Sequence, residues 1–253
     1  MNIFLVIFLT FLQGITEFLP ISSSGHLSLI ENFYHLKNPL FLTVLLHFGS
    51  LLAIVVFFFN EIKNILSFKN KTLLIKIILG TLPLFLAIPF LSIIEKNFSN
   101  LKVIALGFLI SGLFLMATKF IKKPFKDLDS LTYKDALLIG GAQLLALFPG
   151  FSRSGLTLSS GVLLKNKPED SFKFSFLLSL PAILGATILE THGVLSQKEF
   201  FLSPLLIFLA VSFSFLFSYL ALLILKKVLI KNKLFYFAFY LWGLTLLLWI
   251  KIL

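Results

Sequence analysis

Cysteine is missing from all 253 residues, so disulfides, thiolate chemistry and Cys-ligated metals are excluded. Charge is scarce: Asp, Glu, Lys and Arg make up 13% of the chain, against about 25% in an ordinary soluble domain. Arginine occurs once, as Arg153. No glycine-rich stretch ends in the GK[ST] that cradles nucleotide phosphates, and no histidine pair has metal-ligand spacing, so ATP-driven chemistry is not expected. What fills the chain instead is apolar. Hydrophobic residues account for 58% and the mean hydropathy is +1.01, so the expected solvent of the fold is lipid, a bilayer. The formal net charge of +11 would suggest nucleic acid in a soluble chain. Here the lysines sit in short clusters between apolar runs, which the positive-inside rule explains, and no nucleic-acid partner is expected. The opening MNIFLVIFLTFLQGITEF has neither a basic leading region nor a small-residue cleavage site, and is expected to belong to the fold.

Apolar stretches of the ~20 residues that cross a bilayer run from Phe41 to Phe59, Leu73 to Ile94, Leu101 to Ile121, Phe172 to Leu189, Pro204 to Leu225 and Leu234 to Leu253. They predict six spanning helices. Two further regions, Met1 to Ile30 and Ala136 to Leu164, are apolar at both ends but interrupted by LPISSSGH and FPGFSRSG. Each reads as two half-helices around a break. Sixteen of the twenty-one lysines fall within 63–76, 119–134, 165–173 and 226–233, and short lysine-rich loops stay cytoplasmic. Placing those four loops inside returns both ends of the Ala136 to Leu164 region to the inner face, so it is expected to be a re-entrant hairpin. By the same logic Met1 to Ile30 dips in from the outer face.

An internal repeat supports that arrangement. Gln13, Phe18, Ser22, Ser24 and Gly25 match Gln143, Phe148, Ser152, Ser154 and Gly155, each 130 positions on. Inverted repeats with broken helices that meet near the midplane build sites inside membranes, because irregular backbone is tolerated there only around a cavity. The expected fold is therefore an all-α polytopic membrane protein, one integral domain over 1–253, with six transmembrane helices and two re-entrant helical hairpins at about 1–30 and 136–164.

Chemistry concentrates in the two hairpins. An arginine at mid-membrane costs about 2.5–3.5 kcal/mol even on the lenient insertion scale, so Arg153 needs a reason to be there. Its planar fork among the hydroxyls and glycines of GFSRSG suits a phosphate clamp; the competing reading is a salt bridge to Glu17. Glu17, a carboxylate in an apolar hairpin, needs a cation or a proton, and a divalent ion, Mg2+ or Ca2+, bridging it to a diphosphate would satisfy it. Gln13, one turn earlier on the same face, offers an amide to the head group or simply a bond to its own helix. His26 follows three serines and a glycine at the start of a half-helix, where backbone amides favour anions, and could act as nucleophile or general base on water or on Ser23. His47, in LLHFGS, reads as a hydrogen-bonded core residue. Ser22, Ser23, Ser24, Ser152, Ser154 and Thr157 offer hydroxyls to phosphate oxygens, or cap their half-helices.

QGITEFLPISSSGH and GAQLLALFPGFSRSGLTLSSG, with KFSFLLSLPAILGAT further on, resemble the signature regions of the bacterial undecaprenyl-diphosphatase family, also called bacitracin-resistance proteins. The resemblance implies a multi-pass hydrolase of the inner (cytoplasmic) membrane that converts undecaprenyl diphosphate to the monophosphate with a divalent cation. Such an enzyme recycles the lipid carrier of peptidoglycan synthesis, with its site open to the periplasm. It also implies Glu17 as metal or catalytic carboxylate, His26 and Ser23 as nucleophile or base, Arg153 as phosphate ligand, and Ser22, Ser24, Ser152, Ser154 and Thr157 at the remaining polar positions of the motifs. One departure stands out: the family often carries a second glutamate where this chain has Gln13. A transporter or flippase of a phosphorylated lipid is the alternative, since broken inverted repeats are also a transporter plan. A homodimer is left open as a partner.

Overall fold

A computed structural model describes residues 3–34, 40–121, 124–197 and 202–253. Met1 and Asn2, at the start of the first expected hairpin, and Lys122 and Lys123 of the second lysine cluster lie outside the described residues. The described residues form helices and no strand. In order these are α1 (Ile3–Phe18), α2 (Ser23–Tyr34), α3 (Leu40–Phe57), α4 (Phe59–Leu66), α5 (Lys71–Phe85), α6 (Leu91–Lys96), α7 (Leu101–Ala117), α8 (Tyr133–Leu145), α9 (Arg153–Leu163), α10 (Pro168–Gln197), α11 (Pro204–Ile230) and α12 (Tyr236–Ile252).

Among the described residues five segments are long and apolar enough to cross a membrane: Leu40–Phe57, Lys71–Lys96, Leu101–Phe120, Pro168–Leu195 and Pro204–Ile230. The chain is thus a multi-pass membrane protein. The stretch from Leu234, expected as the sixth span, forms the 17-residue α12, at the lower end of the length a bilayer requires. The Phe172 to Leu189 span extends instead over Pro168–Gln197. Pro83 falls in the last turn of α5, and a short 3-10 turn at Ile88–Phe90 leads into α6, as expected where prolines remove donors from a helical ladder.

The two interrupted regions are broken helix pairs. α1 ends before Leu19-Pro20, the chain turns through Ser22 with φ 70°, and Ser22 Oγ accepts the Gly25 amide at 3.2 Å. α8 ends before Pro149-Gly150, and Ser152 Oγ accepts the Gly155 amide at 3.1 Å. In both turns the serine also lies 3.4 Å from the hydroxyl two residues on, Ser24 or Ser154. The serine–glycine and serine–serine contacts of the 130-residue repeat therefore recur in both turns, whereas its glutamines differ: Gln13 bonds Glu17 and the Gln143 side chain has no partner. Packing follows the same correspondence with the halves exchanged: α1 packs on α11 and α8 on α5, while α3 meets α10 and α7 meets α12. Residues 154–162 of α9 are all buried, which makes α9 the centre of the bundle. Its serines, glycines and threonine let neighbouring backbones approach, as small residues do in membrane helices.

Candidate active site

The turns of the two broken pairs meet. A Cβ on Gly25 would lie 2.9 Å from Gly150 Cα, and one on Gly155 would lie 3.4 Å from Pro20 Cβ. Ser154 Oγ donates to the Leu19 carbonyl at 3.1 Å, just past the end of α1, where the Ile21 amide also donates to it at 2.7 Å. This juncture brings the end of α1 against the start of α9, and with it Glu17 against Arg153.

Glu17 Oε1 accepts from Arg153 Nη2 at 2.5 Å, and the two side chains are only 9% and 16% exposed. Glu17 Oε2 accepts from Ser23 Oγ at 2.6 Å and from Gln13 Nε2 at 2.9 Å. The carboxylate is thus held by one residue of its own helix, one of α2 and one of α9. The ion pair and the phosphate clamp are compatible. A guanidinium has five N–H donors; here one bonds Glu17 and Nη1 makes only a long 3.5 Å contact with the Ser179 carbonyl.

Glu17, Ser22, Ser23, Ser24, Ser152 and Arg153 line one cavity of about 170 Å3, together with His47 and apolar residues of α10 such as Ile183. An adjoining cavity of about 340 Å3 shares Ser23, Ser24 and His47 and adds Gln13, Glu31, Phe98 and Glu190. The first is the chamber and the second its vestibule. Ser154 and Thr157 do not line either one. Ser154 ties the two turns together, and Thr157 Oγ1 donates to the Arg153 carbonyl and lies 2.5 Å from Ser175 Oγ on α10.

His26 also stands outside both cavities. Its Nδ1 is 2.7 Å from the Ser22 carbonyl, its Nε2 is 2.7 Å from the Tyr240 hydroxyl, and its ring packs beside Phe108 and Tyr240. The imidazole that lines the chamber belongs to His47, whose Nδ1 is 2.9 Å from Glu190 Oε2. His47 is hydrogen-bonded, as the sequence reading expects, but its partner Glu190, 143 residues away, and its place in the cavity wall escape that reading. The signal in the sequence was a titratable residue in each of two apolar helices, with nothing to pair them.

Gln13 and Glu17 are the groups that fit a hard divalent cation. Gln13 Oε1 is buried without a hydrogen-bond partner, next to the Glu17 carboxylate that its own Nε2 bonds. No group of three or more His, Asp or Glu residues gathers among the described residues, so protein ligands alone would leave an open shell. Magnesium commonly tolerates such a shell, completing it with water and substrate phosphates.

The family described as Bacitracin resistance protein BacA matches residues 6–247. An undecaprenyl-diphosphatase of Thermosipho melanesiensis is 42% identical over 241 residues, which cover 92% of this chain and 93% of that protein. An undecaprenyl-diphosphatase of Carboxydothermus hydrogenoformans is 38% identical over 253 residues, covering 98% and 97%. One of Pelagibacter ubique is 40% identical over 222 residues, covering 86% and 85%.

Proposed function

The chain belongs to the bacitracin resistance protein BacA family, and on that premise we infer that it is an undecaprenyl-diphosphatase. It removes the terminal phosphate of undecaprenyl diphosphate, returning the monophosphate carrier to peptidoglycan synthesis and conferring resistance to bacitracin. The observation that carries this reading at the level of the site is the buried Arg153–Glu17 pair lining a chamber walled by serines. The phosphoryl group in flight spreads charge over its oxygens, so positioning and preorganised donors do most of the catalytic work. The free N–H groups of Arg153, with the hydroxyls of Ser22, Ser24 and Ser152, receive phosphate oxygens. Glu17 holds Arg153 and Ser23 in place. Glu17 and Gln13 would hold a divalent cation, which would supply further neutralisation of charge on the diphosphate. His26 acts on the site through the Ser22 carbonyl, one residue from Ser23.

The architecture assigned to this activity has two re-entrant pairs entering from opposite faces of the inner membrane and a vestibule open to the periplasm. Several observations support it. At 1.5 Å per residue, the 11 residues of α9 reach roughly 17 Å and the 13 of α8 roughly 20 Å, against the ~30 Å hydrocarbon core. The lysine clusters and the exchanged packing of the halves agree with the same scheme. The vestibule includes Leu40 and Glu190, at the ends of α3 and α10 away from the lysine loops. In cells carrying single cysteines on this cysteine-free background, Asn2→Cys and Asn97→Cys are expected to react with a membrane-impermeant maleimide, whereas Lys167→Cys reacts only after permeabilisation. Labelling of Asn2→Cys solely from the inner face would sink the opposed-hairpin scheme.

Phosphate release from undecaprenyl diphosphate by the purified protein tests the activity. Release is expected to require added Mg2+ or Ca2+, to stop with chelator, and to fall strongly in His26→Ala and Arg153→Ala. A well-folded wild type that releases nothing would instead favour carriage of the phosphorylated lipid.

A further inference from the structure

Four side chains in the chamber can meet the diphosphate as donors or as a charge clamp, but the attacking oxygen also needs somewhere to put a proton. Ser23 is already a donor to Glu17, and Glu17 is already engaged by Arg153, Ser23 and Gln13. Both nitrogens of His26 are occupied, outside the cavity. His47 differs on each count. It lines the chamber and the vestibule together. Glu190 Oε2, reaching across from α10, engages Nδ1 at 2.9 Å, and Nε2 makes no hydrogen bond among the described residues. A carboxylate that accepts from Nδ1–H fixes the tautomer and leaves the Nε2 lone pair as an acceptor. The pair is only 19% and 25% exposed, so its geometry is held by packing.

We propose that His47, oriented by Glu190, accepts the proton of the water that attacks the terminal phosphorus. The proposal rests on the diphosphatase reading above and names a base that neither family membership nor the signature motifs assign. In the step, the water oxygen bonds to the terminal phosphorus while the bond from that phosphorus to the bridging oxygen breaks. The bond's electron pair stays on the bridging oxygen, which leaves as undecaprenyl phosphate. One water proton passes to His47 Nε2 and the other stays on the inorganic phosphate. Nε2 then returns its proton to bulk water through the vestibule, where His47 is also exposed. The charged groups around the ring are Glu190 from α10, Glu17 from α1 and Arg153 from α9, with Glu31 of α2 in the vestibule. Glu190 is a positioning residue and does not touch the water.

The test compares kcat and KM for phosphate release by wild type, His47→Ala, His47→Gln, Glu190→Gln and Glu190→Ala, purified in detergent. Removing a general base lowers kcat by about 10²-fold or more, and KM is expected to stay near wild type. His47→Gln keeps an N–H for Glu190 and so guards against a loss of fold; it should melt like wild type and lose a similar factor in kcat. Added imidazole is expected to restore part of the kcat of His47→Ala and none of that of Arg153→Ala. Glu190→Gln, which can still accept from Nδ1–H, should lose less than Glu190→Ala. Wild-type kcat in folded His47→Gln would overturn the proposal, as would a loss in His47→Ala that appears in KM and is not rescued by imidazole. A wild type that releases no phosphate removes the diphosphatase reading itself, and the proposed base with it.

Discussion

Arg153→Lys lowers phosphate release by about 10²–10³-fold, the usual effect of removing one preorganised donor to a developing anion. Lysine keeps the charge but not the fork: it cannot hold Glu17 and two phosphate oxygens in fixed directions at once. Arg153→Ala loses at least as much activity and in addition destabilises the protein, by about 3–5 kcal/mol, because it strands a buried carboxylate. Glu17 would keep its bonds from Ser23 and Gln13 but no cation. The double variant Arg153→Met, Glu17→Gln separates the two effects. It is expected to regain most of the thermal stability lost in Arg153→Ala and none of the turnover. Melting temperature and turnover, measured on the four proteins, check this. Turnover by the double variant near the wild-type rate would mean that the pair is structural and that the diphosphate is held elsewhere.

What was legible in the sequence follows the distance over which the signal acts. The 130-residue repeat needed only matching letters, and the structure converts its serine and glycine pairs into matching bonds: Ser22 with Gly25, and Ser152 with Gly155. Three letters that break the repeat carry its charge and its imidazole. Glu17 stands opposite Leu147, Ser23 opposite Arg153, and His26 opposite Leu156, so one half contributes the carboxylate and the other the guanidinium. Their meeting was one of two readings of Arg153 and is what the structure shows. That His47 is hydrogen-bonded was legible, but its place in the chamber was not, because an imidazole in an apolar helix declares its purpose only through its partner, and Glu190 lies on another helix. The setting of His26 was hidden for the same reason: its serine-rich neighbours are visible in sequence, but Tyr240, 214 residues away, is not. The length of α12 was overestimated because Leu234 and Phe235 continue its apolar run, although helix begins only at Tyr236. Hydropathy counts residues and does not see where the first turn closes.

Gly150→Ala is expected to lower stability by about 3 kcal/mol or more, since a left-handed backbone costs a residue with a Cβ about 1–3 kcal/mol before any collision is counted. Gly150 has φ 87°, and a Cβ there would lie 2.3 Å from the Ile104 carbonyl oxygen and 2.8 Å from Ile104 Cα on α7. Both obstacles are backbone, so no rotamer change relieves them. For a chain of this size the loss corresponds to a fall in melting temperature of roughly 6–12 °C. Activity should suffer beyond stability, because the same turn fixes Ser152, whose amide donates to Ser111 Oγ on α7 at 2.9 Å, and so sets where Arg153 starts α9. Gly141→Ala is the matching control. It sits within α8, and its Cβ would meet nothing within 4 Å, so alanine there should leave turnover intact and raise stability by up to about 1 kcal/mol through helix propensity. If Gly150→Ala instead melts with Gly141→Ala and turns over normally, then contact with α7 is not what holds the Pro149-Gly150 turn. The position of Arg153 would have to come from its bond to Glu17 alone.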